Sequence, residues 1–128
     1  MQPRPTAIEI LSVVAEVLER DIVPALGGPA QHHARVAASL VGIVERELRL
    51  GPDQAARELA ALRIALEHAG VDGDVDGIVA ARTRFAAALR TGAADEPAAA
   101  AETWAMLFAS VRDDLAISKP GHDGWQGD

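Results

Sequence analysis

An all-α fold, a single domain of about five mainly antiparallel helices forming a bundle, is what this sequence predicts, and three observations predict it. Apolar residues recur at helical spacing in every long segment, and Pro, Gly and capping residues punctuate those segments. No stretch of any length alternates apolar with polar as a half-buried strand would. The domain is expected over 1–120, with a mobile tail over 121–128, where Gly121-His122-Asp123-Gly124-Trp125-Gln126-Gly127-Asp128 has no period.

Thr6-Ala7-Ile8-Glu9 is a capping box that starts a first helix, with Ile10, Leu11, Val14, Val17, Leu18 and Ile22 as its inward stripe. Pro24 disrupts that helix and Gly27-Gly28-Pro29 makes the turn. The second helix runs from about Ala30 to Leu50, and His33, Ala37, Leu40, Val44 and Leu48 share one of its sides. Gly51 is placed for a left-handed cap and Pro52 to forbid continuation, so a third helix should start at Asp53 and fold back as an antiparallel hairpin. Its inward face is Leu59, Leu62, Leu66 and Ala69, and Gly70 ends it. A fourth helix, N-capped by Asp74, turns Val75, Ile78, Phe85 and Leu89 inward before Gly92. A fifth begins around Asp95-Glu96-Pro97, buries Trp104, Phe108, Val111 and Leu115, and stops before Pro120. His33 and Trp104 are expected at or near the core.

The net charge is −7, of which residues 93–128 supply −5. An acidic chain with few aromatics cannot neutralise phosphates in series, which argues against nucleic acid as a partner. Cysteine is absent, so disulfides, thiolate metal sites and a cysteine nucleophile are excluded. Met1-Gln2-Pro3-Arg4-Pro5-Thr6 has no apolar signal core, and no apolar run approaches the ~20 residues that span a bilayer, so a cytoplasmic protein without membrane attachment is expected.

Asp72-Gly73-Asp74-Val75-Asp76-Gly77 copies the opening of a calcium loop, but its twelfth position, where a bidentate carboxylate belongs, is Thr83. An Asp- and Gly-rich turn explains the same residues. Imidazole titrates near neutrality and binds metals, yet His33 has no His or carboxylate three or four residues away to complete a helical ligand pair. Ser12, Ser39, Ser110 and Ser118 occur without a Gly-x-Ser-x-Gly elbow. No catalytic residue, metal ligand or cofactor is therefore assigned. Arg35, Arg46 and Arg49 lie on one side of the second helix, with Glu45 placed to pair with Arg49 at i,i+4.

Arg4-Pro5-Thr6-Ala7, His33-Ala34-Arg35-Val36-Ala37-Ala38, Ile43-Val44-Glu45-Arg46-Glu47-Leu48, Gly51-Pro52 and Leu115-Ala116-Ile117 together resemble a family of small uncharacterised bacterial helical proteins, a domain-of-unknown-function family. The resemblance covers most of 4–120 and is most specific over 33–52. It departs at Gln31-His32, where an aromatic usually precedes the histidine, at Ser39, which replaces an Asn, and at Ser118-Lys119-Pro120, which replaces an Asn-Pro ending. The resemblance implies genes beside aminoglycoside-phosphotransferase-like kinases and acyl-CoA dehydrogenases, and hence an accessory role in acyl or hydroxyacyl metabolism.

The expected function is a non-catalytic accessory or protein-binding module whose partner is such a kinase or dehydrogenase. The alternative is a small-molecule binder or minor enzyme, with His33, Arg35 and Ser39 orienting an acyl or hydroxyacyl ligand. Arg35 points about 160° from Ala37 around the helix, so it shares a pocket with His33 only if another helix or subunit covers that side. Alanine-rich faces also keep a homo-oligomer open.

Overall fold

The computed structural model describes residues 3–122, and among them the chain is helical with no strand. Four α-helices form: α1 (Ala7–Val17), α2 (Gly28–His68), α3 (Ile78–Arg90) and α4 (Pro97–Ser118). The chain divides into two compact units, one ending at Gly51 and one beginning at Pro52, and α2 contributes to both. No helix among the described residues is long and apolar enough to cross a membrane.

In unit 1 the capping box forms as expected: the Glu9 N–H donates to Thr6 Oγ1 at 3.2 Å, and the Thr6 N–H donates to Glu9 Oε2 at 2.7 Å. After Val17 the chain widens into a π-helical turn, Leu18–Ile22, and tightens into a 3₁₀ turn, Val23–Ala25, that accommodates Pro24. Gln31 Nε2 donates to the Val23 carbonyl at 3.0 Å, and Thr6 and Ile8 border a surface cleft with Leu48, so α1 runs antiparallel along the first part of α2.

Unit 1 corrects the expected core. Its buried residues among those described are Ala34 and Ala38, whereas His33 is exposed and Leu40, Val44 and Leu48 are 57%, 45% and 45% exposed. Two apolar stripes run along this part of α2, about 100° apart, and α1 is the one helix in the unit available to cover either. The alanine stripe permits the closer approach of two axes and takes the cover. On α1, Ile8, Leu11 and Ala15 are the more sheltered residues, while Ile10, Val13, Val14 and Val17 are exposed, which turns the expected inward stripe partly outward.

The expected hairpin at Gly51-Pro52 does not form, and a single helix runs through both residues. Gly51 is absent from the residues at positive φ, so the left-handed cap is not used. Proline's fixed φ near −65° is itself helical, so the chain continues at the cost of one hydrogen bond, the one the Leu48 carbonyl would accept. The expected five helices thus become four.

Unit 2 follows the sequence more closely. Leu62, Leu66, Val75, Ala81 and Phe85 form its core, flanked by Leu59, Ile78, Leu89 and Met106. The C-terminal end of α2 is a Schellman motif: the Val71 N–H donates to the Leu66 carbonyl at 2.9 Å and the Gly70 N–H to the Glu67 carbonyl at 3.0 Å, with Gly70 at φ 72°. The turn at 72–77 is held from within, because Asp72 Oδ1 accepts from the Asp74 N–H at 2.9 Å and Arg84 Nη1 donates to the Asp72 and Asp74 carbonyls. Arg63 Nη2 donates to the Val75 carbonyl at 3.1 Å. A Cβ at Gly73 would lie 2.9 Å from the Arg63 carbonyl oxygen, so only glycine fits there. The residue preceding α3 is Gly77 at φ 91°, not Asp74, whose backbone is engaged in the turn.

α4 begins with Pro97 at its first turn and ends at Ser118, as expected, but it is rotated about its axis. Of the four residues expected inward, Phe108 and Leu115 are half-buried but Trp104 is 69% exposed and Val111 55%, while Thr103, Met106, Ser110 and Asp113 on another side of the helix are sheltered too. Polar ties fix this rotation. Gln54 Nε2 donates to the Asp113 carbonyl at 3.1 Å, Arg57 pairs with Asp113 at 3.0 Å, and His68 Nδ1 lies 2.9 Å from Glu102 Oε1. The expected tail falls largely outside the described residues; the His122 N–H donates to the Lys119 carbonyl at 3.1 Å, and 123–128 lie beyond them.

Candidate functional site

Arg35, Ser39, Gly42 and Arg46 follow one another at steps of four, three and four, so they form a single stripe on α2. With Glu19 and Val23 from the turns after α1, this stripe lines a groove of about 390 Å³ within unit 1. The wide turn after Val17 carries Glu19, which lines the groove. Gly42 matters through what it lacks: a Cβ there would stand 3.1 Å from Arg46 Nη1, so the bare backbone makes room for the Arg46 guanidinium to lie across it. Arg35 makes no hydrogen bond or ion pair among the described residues, whereas Arg49 is held by Glu45 at 2.9 Å, as its spacing predicts. Arg35 beside the Ser39 hydroxyl is an arrangement suited to a carboxylate or phosphate oxygen.

Arg35 and Ser39 are therefore brought together, and His33 is not with them. His33 lies two residues before Arg35, about 160° around the helix, and is absent from the groove lining. Its recorded ring contact is with the adjacent His32, 6.0 Å between centroids and tilted by 57°. Among the described residues no group of three or more His, Asp or Glu side chains is assembled as a metal site.

Unit 2 holds a second concavity, of about 310 Å³, where the later part of α2 meets α3 and α4. Leu62, Phe85, Leu89 and Met106 give it an apolar floor, and Glu58, Arg82, Ser110 and Asp114 stand at its rim. Arg82 spans the α2–α3 interval with two hydrogen bonds to Glu58, Nε to Oε1 at 2.7 Å and Nη2 to Oε2 at 2.6 Å. That bidentate contact, supported by Asp114 and opposed by partial burial, raises the Arg82 guanidinium above its ordinary range, so the pair stays charged. No sequence spacing pointed here, because the residues come from three helices. The one local cue, Met106, Ser110 and Asp114 at steps of four, is weaker than the aromatic stripe of Trp104 and Phe108 beside it.

A family model described as Domain of unknown function (DUF6285) matches residues 24–122. No curated protein and no solved structure matches the chain.

Proposed function

We propose that this chain, which belongs to the DUF6285 family of unknown function over residues 24–122, is a non-catalytic accessory module that docks on another protein through the exposed apolar stripe of α2 in unit 1. One observation carries this reading: Val36, Leu40, Val44 and Leu48, spaced for burial, all face solvent, on a stripe about 18 Å long at 1.5 Å per residue. Contiguous apolar surface of this kind marks interaction sites, and an apolar helical stripe fits the face of a partner helix.

Charge supports an apolar rather than electrostatic contact. Unit 1 holds five arginines against six carboxylates, whereas unit 2 holds seven basic side chains against thirteen acidic ones, so unit 1, which carries the stripe, is itself nearly neutral. The partner we favour, on the neighbourhood implied by the sequence resemblance, is a phosphotransferase-like kinase or an acyl-CoA dehydrogenase in a bacterial cytoplasm. Mixing the purified chain with each candidate and following co-elution tests it. The wild type is expected to co-elute with one of them, and Leu40→Lys combined with Val44→Lys to abolish co-elution with an unchanged circular dichroism spectrum. Co-elution with neither candidate, or undiminished binding by the double variant, would sink the reading.

The groove favours a second reading, in which Arg35 and Ser39, without His33, orient an anionic acyl or phosphorylated ligand. A ligand at 100 times its Kd adds about 2.7 kcal/mol to stability. Thermal melting with an acyl-CoA or inorganic phosphate should therefore rise in the wild type and in His33→Ala, and stay flat in Arg35→Ala. A flat wild type, or an equal rise in all three proteins, retires this reading.

A further inference from the structure

We propose that the unit 2 cavity binds a small amphiphilic amine, with its alkyl chain on Leu62, Phe85 and Met106 and its ammonium group held by Asp114 and Ser110. Leu62 and Phe85 belong to the buried core and show the cavity only a fixed apolar edge, while the half-buried Met106 can adjust its three side-chain torsions to a guest. A volume of about 310 Å³ lies at the lower end of ligand pockets, which run from about 300 to 1,000 Å³, so a single short alkyl chain is the guest that fits.

The rim decides the sign of the head group. Arg82 is the rim's one cation, and among the described residues both of its hydrogen bonds go to Glu58, whose side chain is only 18% exposed. Freeing Arg82 for an anionic ligand would strand that carboxylate in a sheltered place, which is more costly than leaving an exposed charge bare. Asp114 makes no side-chain hydrogen bond or ion pair among the described residues, and neither does Ser110 Oγ. Once Glu58 and Arg82 have cancelled, the rim therefore carries one negative charge beside one unused hydroxyl. Ser110 and Asp114 are one turn apart on α4, side by side on the same face. An alkylammonium group has three N–H donors and no acceptor, so it can give one to the Asp114 carboxylate, one to Ser110 Oγ and one to water. An alkyl carboxylate of the same length would be repelled by Asp114 and would meet an Arg82 whose charge Glu58 already compensates. The acidic excess of unit 2 adds to the preference by concentrating cations around it.

The sequence has two methionines, Met1 and Met106, which gives a site-specific readout. With the full chain carrying ¹³C-methyl methionine, n-octylammonium chloride, n-octanol and sodium octanoate are each titrated below their aggregation thresholds and the two methyl resonances followed. The Met106 methyl is expected to shift saturably with octylammonium, Met1 to stay in place, and octanoate to bind at least tenfold more weakly. Asp114→Asn, an exposed and nearly isosteric change, is expected to weaken octylammonium about three- to fivefold, the size of an exposed charge pair, and to leave octanol unaffected. Octanoate binding as tightly as octylammonium, an unmoved Met106 methyl, or an Asp114→Asn variant with undiminished octylammonium affinity would each overturn the proposal.

Discussion

Leu66→Ala is expected to destabilise unit 2 by about 3–5 kcal/mol, the range for deleting a buried leucine that leaves a cavity. Leu66 is the largest fully buried side chain among the described residues, at 0% exposure, and it sits among Leu62, Val75, Ala81 and Phe85. Two features put the loss toward the upper end. The Schellman motif accepts a hydrogen bond at the Leu66 carbonyl, so the backbone at this position cannot move inward to fill the void. The neighbouring Ala81 has no side-chain length with which to collapse into it. Against a total stability of about 5–15 kcal/mol for a domain, this is a severe loss. Urea unfolding followed by circular dichroism should show a lowered midpoint with an unchanged slope. Leu40→Ala, on the exposed stripe, should cost under about 1 kcal/mol in the same assay. Equal losses at the two positions would mean that the core has been misplaced.

Pro52→Ala is expected to act in the opposite direction, raising stability by about 2 kcal/mol. A proline inside a helix costs about 3 kcal/mol relative to alanine, because it lacks the N–H that the Leu48 carbonyl would accept and its ring crowds that carbonyl. Removing it also gives the unfolded chain back about 0.4–1 kcal/mol of conformational freedom, which offsets part of the gain. The sign distinguishes two structures. In a hairpin, Pro52 would occupy the first turn of a new helix, where proline is preferred and its replacement gains nothing. A midpoint that stays in place or falls would restore the hairpin.

The sequence was most legible where one face of a helix had one possible cover. In unit 2 the spacing of Leu59, Leu62 and Leu66, the stop at Gly70 and the inward run of Ile78, Phe85 and Leu89 all survive in the structure. It was least legible where a helix carried two apolar faces. The periodicity of Leu40, Val44 and Leu48 is real, but it does not say that the neighbour will choose Ala34 and Ala38 instead. α4 presented the same ambiguity, resolved by ties of Arg57, Gln54 and His68 to residues more than thirty positions away, which no local spacing encodes. Of the residues singled out for a site, Arg35 and Ser39 meet in one groove because they are one turn apart, and His33 stands on another side of the same helix. The Gly51-Pro52 pair carried the usual punctuation of a helix end, and its failure shows that proline's helical φ can outweigh its missing donor.

Site-directed photo-crosslinking reads out whether the α2 stripe is a docking surface. A benzophenone amino acid is placed at Leu40 or Val44, and at Val79 as the control, an apolar residue outside the stripe that is more exposed, at 73%. Irradiation with the candidate kinase or dehydrogenase present is expected to give a covalent heterodimer from positions 40 and 44 and none from 79. Adducts from 79 alone, adducts joining two copies of this chain, or none at 40 and 44 would contradict the claim.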